Sequence, residues 1–215
     1  MYVPSSFDES RPAVLHELME RNPLATVVAV TAAGIQANHI PVMHEPGAGS
    51  PGTLRGHIAR ANTIWRDLKD GAEVLAIFQG ASHYISPNWY PSKLENGQVV
   101  PTWNYTVVHA RGRITWIHDA AWLREFVDSL TERHERDSAS PWRVGDAPPK
   151  YIEGMLKAIV GFEIALEKLT GKWKLSQNRN AADRAGVVAA LSGLPDEESR
   201  RMARLVEHPD PGAGD

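Results

Sequence analysis

Residues 24–43 have the sequence LATVVAVTAAGIQANHIPVM, in which two β-prone runs flank a short turn. The first run, Leu24 to Thr31, is rich in β-branched residues, and Ile35 to Met43 can return beside it as an antiparallel partner. Between them, Ala32-Ala33-Gly34 supplies the glycine that a tight turn favours. The stretch therefore predicts an antiparallel β-hairpin.

Further strands are predicted by alternating or continuous apolar residues, at 54–58, 74–78, 107–117 and 160–166. The segment 46–52 is predicted to be a loop, because it is rich in proline and glycine. Helices are inserted singly between strands, without the strict βαβ alternation or the Gly-x-Gly-x-x-Gly fingerprint of dinucleotide-binding folds. The pattern indicates an α+β fold, a mostly antiparallel barrel with peripheral helices.

Length and composition limit the class of protein. The 215 residues suit a single domain, 1–215, with a helical extension near 180–208 and a flexible tail. The net charge of -3 offers no general attraction to nucleic acid or anionic membranes, and the absence of cysteine excludes disulfides and Cys-ligated metals. The N-terminus lacks the shape of a signal peptide, and no run is long enough to span a membrane, so we expect a cytoplasmic protein.

Four segments mix aromatic rings with amide, hydroxyl or cationic groups: 56–66, 84–90, 100–105 and 174–179. Core segments rarely combine these groups, because every buried polar atom needs a partner. A flat ligand uses such a mixture, with rings for its faces, amides and hydroxyls for its edge, and cations for a phosphate. The segments predict a site for a planar cofactor.

The segment 56–66 suggests an anion site. Arg60 follows a predicted strand, and Asn62 can begin a helix whose free N–H groups would attract an anion. The alternative is that Arg60 is a solvated charge and Asn62 only a cap. Among the tryptophans, Trp116 and Trp122 lie on apolar stripes and suit the core, whereas Trp89 and Trp103 can stack on a cofactor.

Other chemistries have little support in the sequence. The nine histidines include no His-x-His or His-Glu-x-x-His pattern, so no metal site is predicted. There is no catalytic carboxylate pair, and Ser86 and Ser176 lack a nucleophile elbow. The catalytic residues, if any, stay unassigned, with His57, Tyr84 and Tyr105 as the available acid or base candidates.

At these segments the chain resembles the PaiB family, described as FMN-binding negative transcriptional regulators. The resemblance runs from the N-terminus to Arg179, and its marks are residues 56–62, 78–80, 84–90, 100–105, 159–163 and 174–179. It implies a split β-barrel similar to that of pyridoxamine-phosphate oxidases. It also implies a homodimer that holds FMN at the subunit interface.

The resemblance also implies the site residues. The strand with Asn38 and His39 and the turn with Arg60 and Asn62 would contact the flavin and its phosphate. Independently of the resemblance, the polar groups of residues 176–178, just after the last strand, suggest that residues 174–179 close the cofactor or substrate site. The full set of expected cofactor-binding residues is Asn38, His39, His57, Arg60, Asn62, Trp89, Thr102, Trp103, Asn104, Lys174, Ser176, Gln177, Asn178 and Arg179. The Arg…Lys clamp of the oxidases is not obvious, which leaves haem as an alternative cofactor, with His57 or His39 as axial ligand.

Two functions follow from the resemblance. One is a cofactor-dependent negative transcriptional regulator. The other is a flavin- or haem-dependent enzyme acting on a small molecule, either by redox chemistry or by N–N bond formation as in the PaiB-like, haem-dependent piperazate synthases. Direct DNA binding is not supported, because the seven Lys and Arg residues from Lys172 onward are balanced by seven Asp and Glu residues.

Overall fold

The computed structural model describes residues 1–209, which contain seven strands and seven helices. The strands are β1 (Asp8–Glu9), β2 (Leu24–Thr31), β3 (Gly34–Gly47), β4 (Ser50–Ala59), β5 (Ala72–Ile85), β6 (Thr102–Ile117) and β7 (Ile159–Lys174). The helices are α1 (Pro12–Arg21), α2 (Ile64–Asp67), α3 (Lys93–Asn96), α4 (Ala120–Glu135), α5 (Pro149–Lys157), α6 (Ala181–Ser192) and α7 (Glu197–Glu207).

The seven strands form one sheet in the order β1-β7-β4-β3-β2-β5-β6, and β6 also pairs with β7. This last pairing closes six strands into a ring, with β1 attached outside β7. The pairings β1–β7, β2–β3, β2–β5, β3–β4 and β4–β7 are antiparallel. The predicted fold class, a mostly antiparallel split barrel with helices around it, is confirmed.

The hairpin predicted from residues 24–43 is present as β2 and β3. Its pairs run from Leu24 with Pro41 to Thr31 with Gly34, and Gly34 has a φ of +107° that suits glycine in a tight turn. The predicted loop at 46–52 was too long, because β3 and β4 pair as far as Gly47 and Ser50. Strand pairing satisfies the backbone hydrogen bonds of this segment, and only the residues between Gly47 and Ser50 form a turn.

Strands β6 and β7 are longer than the prediction. Each has 16 residues, and β6 begins at Thr102, five residues before the predicted strand. The early part of β6 was missed because the buried positions Asn104 and Thr106 are polar, which hides the alternation of apolar residues. Helix α5 was not predicted.

Two compact units divide the described residues. The hairpin unit comprises Pro23–Ile77 and Ala110–Leu169, and its core includes Leu54, Phe162, Ile164 and Leu123. The helical unit comprises Met1–Asn22, Phe78–His109 and the described residues from Thr170, and its core includes Met19, Phe78, Tyr90, Leu175 and Met202. The single domain expected from the sequence stays a prediction.

The two terminal helices, α6 and α7, were predicted and pack against one another within the helical unit. Asp183 of α6 is 2% exposed, and its carboxylate accepts hydrogen bonds from the Ser92 amide (3.1 Å) and hydroxyl (2.8 Å). A side chain at Gly186 would overlap the carbonyl oxygen of Trp89. Helix α6 therefore packs closely against the chain after β5.

Within residues 1–209, no helix has both the length and the apolar character needed to cross a membrane.

Candidate cofactor-binding site

Arg60 follows β4 in the hairpin unit and is held by the chain that leads into β7. Its amide donates to the carbonyl of Ala158 (2.8 Å), and its Nε and Nη2 donate to the carbonyls of Lys157 (2.8 Å) and Ile159 (2.7 Å). Nη1 also lies 3.5 Å from His118 Nδ1, so three of the five guanidinium N–H groups have a partner. The other two, one on Nη1 and one on Nη2, remain on a fixed edge, so Arg60 is an anchored cation rather than a mobile one.

An indole ring connects Arg60 with a second arginine. Trp65 Nε1 donates to the carbonyl of Arg60 (3.0 Å), and the guanidinium carbons of Arg60 and Arg66 lie 5.9 and 4.8 Å from the Trp65 ring. The His118 ring meets the same indole edge-on at 5.3 Å. We call Arg60, Trp65, Arg66 and His118 the Trp65 patch. Within residues 1–209 neither arginine pairs with a carboxylate, so the patch has two uncompensated cations.

Asn38 and Asn62 are joined by a hydrogen bond. Asn62 Nδ2 donates to Asn38 Oδ1 (2.8 Å), and Asn62 Oδ1 accepts from the amide of Ile64 (3.2 Å). Both side chains are half-buried, and in the described chain the Nδ2 group of Asn38 donates to no acceptor. The side-chain amide of Asn38 on β3 is thus held in place by Asn62.

The prediction that a helix begins at Asn62 has to be corrected. Helix α2 has only four residues, Ile64–Asp67, with Thr63 at its N-cap. A single turn has too small a dipole to attract an anion strongly, because the aligned peptide dipoles that create the effect are few. The capacity to bind an anion therefore depends on the guanidinium groups and not on a helix N-terminus.

His39 and His57 differ in their surroundings. His39 lies exposed on β3, whereas the half-buried His57 of β4 meets Phe126 of α4 edge-on at 5.8 Å. Burial lowers the pKa of His57, and its Nδ1 has no hydrogen-bond partner among residues 1–209. His57 is therefore a neutral packing residue under α4, while the imidazole of His39 is accessible.

In the helical unit, Lys174 joins two of the expected site residues. Its Nζ donates to the Thr102 hydroxyl and to the carbonyl of Trp103 (2.5 Å). Burial, together with the positive charges of Lys172 and Arg179, lowers the pKa of Lys174. Trp103 is 55% exposed and meets Tyr84 edge-on at 6.2 Å. This group offers an exposed aromatic pair beside a partly desolvated lysine.

The turn after β7 uses its polar groups internally. Gln177 accepts from the amide of Leu175 (2.7 Å) and donates to the carbonyl of Trp173 (2.6 Å). Ser176 has a φ of +64°, and its hydroxyl accepts from Nδ2 of the buried Asn104 (2.9 Å). The contacts of Ser176, Gln177 and Asn104 therefore support a structural role, and their role in cofactor binding stays a prediction.

Three further expected residues lie in the helical unit. The Arg179 guanidinium lies 4.6 Å from the Tyr90 ring, and the half-buried Trp89 lies near His83, with ring centroids 6.1 Å apart. Asn178 is exposed. The structure thus divides the expected residues between the two units. The hairpin unit holds Asn38, His39, His57, Arg60 and Asn62, and the helical unit holds those of segments 84–90, 100–105 and 174–179.

Sequence reasoning missed Arg66 and His118 as site candidates. Arg66 stands next to Trp65 in a quoted segment, so the pair Trp65-Arg66 was a usable signal. His118 is distant in sequence and lies directly after β6, and only the fold brings its ring to the indole.

Residues 1–168 match a family model described as "Putative FMN-binding domain". The chain belongs to this family. It is 33% identical to the protease synthase and sporulation protein PAI 2 of Bacillus subtilis, with 96% of this chain and 97% of that protein covered. It is also 32% identical to an uncharacterized protein of Emericella nidulans, with 96% of each covered.

Solved structures share the fold. The FAD and heme binding protein of Mycobacterium smegmatis has a TM-score of 0.57 at 20% identity, with 78% of this chain and 73% of that chain covered. The flavocytochrome Anf3 of Azotobacter vinelandii has a TM-score of 0.58 at 14% identity, with 90% and 74% covered. At these identities the similarity concerns the fold alone.

Proposed function

We propose that the protein binds FMN in the cytoplasm and that the Trp65 patch holds the FMN phosphate. Membership of the FMN-binding family supports this proposal. The observation that carries it is the pair of guanidinium groups of Arg60 and Arg66 on one indole, with no carboxylate partner among residues 1–209. When bound, the flavin would supply one- or two-electron redox chemistry.

The residues of the hairpin unit fit the chemistry of FMN. A phosphate dianion is matched by two cations, and the anchored Arg60 can present the Nη1 and Nη2 edge for bidentate hydrogen bonding. Asn38 adds an amide donor that can reach a polar ligand edge, and its position is fixed by Asn62. Because these groups are already held by the fold, binding would cost little side-chain ordering.

Binding of FMN and riboflavin to purified protein, followed by flavin fluorescence, tests the phosphate assignment. Loss of a charge-assisted hydrogen bond lowers affinity roughly ten- to a hundredfold, so R60A and R66A should each weaken FMN binding on this scale. Riboflavin lacks the phosphate, and its affinity should change little. R60K should recover part of the loss, because the charge remains but the planar fork does not.

The matched control is R111A, which removes an exposed arginine of the hairpin unit with no ion pair in the described chain. R66A is the decisive variant, because within the described chain the Arg66 guanidinium makes no hydrogen bond, so its loss should not disturb folding. If folded R60A and R66A both keep the wild-type preference for FMN over riboflavin, the proposal is wrong.

Haem is the second candidate cofactor, and the accessible imidazole of His39 favours it. Neutral imidazole is a common axial ligand of haem iron. His57 is a poorer candidate because it is half-buried and packs edge-on against Phe126. An absorption spectrum of freshly purified protein distinguishes the two cofactors by flavin bands or a Soret band. A Soret band that disappears in H39A would favour haem over FMN.

We further propose the role that resemblance to PaiB proteins implies, a cofactor-dependent negative regulator of transcription acting through a partner rather than by contacting DNA. Helix α7 begins with Glu197 and Glu198, and Glu197 pairs with Arg200 (3.2 Å) and Arg204 (2.7 Å). Such a helix is a poor match for phosphates. A gel-shift assay at low salt should detect no complex between this protein alone and its own promoter DNA, and a specific shift would contradict the proposal.

The enzyme alternative has one observation in its favour, the lysine with a lowered pKa beside exposed aromatic rings. Lys174 lies next to Trp103, where a flat substrate could stack. Turnover of a bound flavin with a reductant and small-molecule acceptors tests this alternative. Acceptor-dependent turnover that is lost in K174M would favour the enzyme.

We also propose that the protein is a homodimer. The hairpin β2–β3 exposes the paired side chains of Val30 (73%) and Ile35 (77%), and buried apolar area stabilises association. Light scattering after size exclusion should give twice the mass of one chain, and the double variant V30K/I35K should give the monomer mass. A monomeric wild type would overturn this proposal.

A further inference from the structure

A cavity separate from the Trp65 patch lies within the helical unit. It has a volume of 440 Å³, within the range of roughly 300–1,000 Å³ typical of small-molecule pockets. Its lining residues come from α1, α7, β6 and β7 and share no member with the Trp65 patch. Helix α7 and the end of β7 also lie beyond residue 168, where the family match stops.

Two helix faces form the walls of this cavity. From α1 come Val14, Glu17, Leu18 and Arg21, which are spaced i, i+3, i+4 and i+7 and therefore form one continuous stripe. From α7 and the residue after it come Arg201, Arg204, Leu205 and His208, with the same spacing. The α1 stripe thus contributes two apolar side chains and one arginine, and the α7 stripe contributes one leucine and two arginines.

The floor of the cavity is formed by two buried residues of the sheet. Trp173 of β7 is the most buried tryptophan of the described chain, and Thr106 of β6 adds a hydroxyl. Together with Val14, Leu18 and Leu205, these residues make an interior that is mainly apolar but has one polar group. An apolar ligand body fits this interior, because burying it removes apolar area from water.

The charges at the rim leave one cation without a partner. Glu17 pairs with Arg21 (2.8 Å), and Glu197 pairs with Arg204 (2.7 Å), so two of the three arginines are neutralised. Among residues 1–209, Arg201 makes no ion pair and no hydrogen bond through its side chain. One uncompensated guanidinium matches one negative charge, and its planar fork matches a carboxylate.

From this arrangement we infer that the cavity between α1 and α7 binds a small organic monoanion, a carboxylate with an apolar aliphatic or aromatic body. The body lies on Trp173 and Leu18, and the carboxylate pairs with Arg201 at the rim. The inference is independent of the proposed FMN site.

Isothermal titration calorimetry with phenylacetate and octanoate tests the inference, and phenylacetamide serves as the neutral analogue. Both carboxylates should bind the full-length protein, and the amide should bind at least about tenfold more weakly. R201Q should weaken carboxylate binding about tenfold. The matched control is R200Q, which changes the neighbouring arginine that does not line the cavity and should keep affinity within about twofold.

Three results would overturn the inference. The first is no heat of binding for either carboxylate up to about 10 mM with folded protein. The second is equal affinity for phenylacetate and phenylacetamide, which would show an apolar cavity without anion selectivity. The third is a folded R201Q variant with wild-type affinity. Because Arg201 is exposed on α7, its replacement should leave the melting temperature unchanged.

Discussion

The turn after β4 and the turn after β7 have similar compositions but differ in how their polar groups are hydrogen-bonded. Residues 60–66 and residues 174–179 both mix cations with amide or hydroxyl side chains, and each lies beside aromatic rings. In the first turn, Arg60 is anchored and, among residues 1–209, Arg66 makes only a ring contact, so both cations keep donors without an acceptor in the described chain. In the second turn, Gln177 and Ser176 are bonded within their own unit.

The difference shows what such a composition can and cannot predict. A cluster of polar groups among aromatic rings must have hydrogen-bond partners, but those partners can be a ligand or the protein itself. Substitutions in the turn after β7 should therefore change stability, whereas those in the turn after β4 should change cofactor affinity. The following predictions test that division, from the largest expected effect to the smallest.

Asn104 should be the most sensitive polar residue near the turn after β7. Its side chain is 1% exposed and donates to Ser176 Oγ, so N104A leaves a buried hydroxyl unpaired and creates a small cavity. We expect the free energy of unfolding to fall by about 2–3 kcal/mol, measured by urea denaturation. FMN affinity of the folded fraction should stay unchanged.

A double-mutant cycle isolates the Asn104–Ser176 pair. S176A should cost less when Asn104 is already alanine, and the coupling should be on the order of 1 kcal/mol. Additive effects of N104A and S176A, or a large loss of FMN affinity in folded N104A, would contradict a purely structural pair.

Gln177 and the neighbouring Asn178 should respond differently. Q177A removes two hydrogen bonds to the backbone and should lower the free energy of unfolding by about 1–2 kcal/mol. N178A changes an exposed side chain and should lie within about 0.5 kcal/mol of wild type. Thermal melts and FMN titrations of both variants check this. If Q177A keeps its stability and loses FMN, the turn closes the cofactor site instead.

The smallest expected effect is a pH dependence from His57, which lies next to the turn after β4. Burial lowers its pKa in the folded state, so between the folded and the unfolded pKa the unfolded chain binds more protons. Stability should therefore be retained above an unfolded pKa of about 6.5 and decrease as the pH falls below it.

The measurement for His57 is urea denaturation of wild type and H57Q between about pH 5 and pH 8. H57Q should show a shallower loss at acid pH. His109, whose pKa burial and the positive N-terminus also lower, contributes in the same direction, so the His57 effect is the difference between the two proteins. Parallel curves for wild type and H57Q would rule out His57 as the source.

The β2–β3 hairpin could be predicted from residues 24–43, because a β-branched run, a glycine turn and a second β-prone run together indicate a hairpin. The early part of β6 could not be predicted, since Asn104 and Thr106 are polar side chains facing inward. At the candidate site, the local pattern of the sequence indicated Arg60 and Asn62, but His118 reaches Trp65 only through the fold. The hydrogen bonds of the Gln177 side chain to its own backbone turn could not be predicted either, because composition does not specify which partner an amide side chain bonds.

The close fit of α6 against the chain after β5 has a consequence for how this protein opens. Asp183 holds Ser92, and Gly186 leaves no space at the Trp89 carbonyl, so α6 cannot lift away without releasing both contacts. In amide exchange, α6 and residues 89–92 should exchange as one cooperative unit. Truncation after residue 168 should therefore also destabilise residues 89–92, because it removes Asp183, whose carboxylate accepts the hydrogen bonds of Ser92.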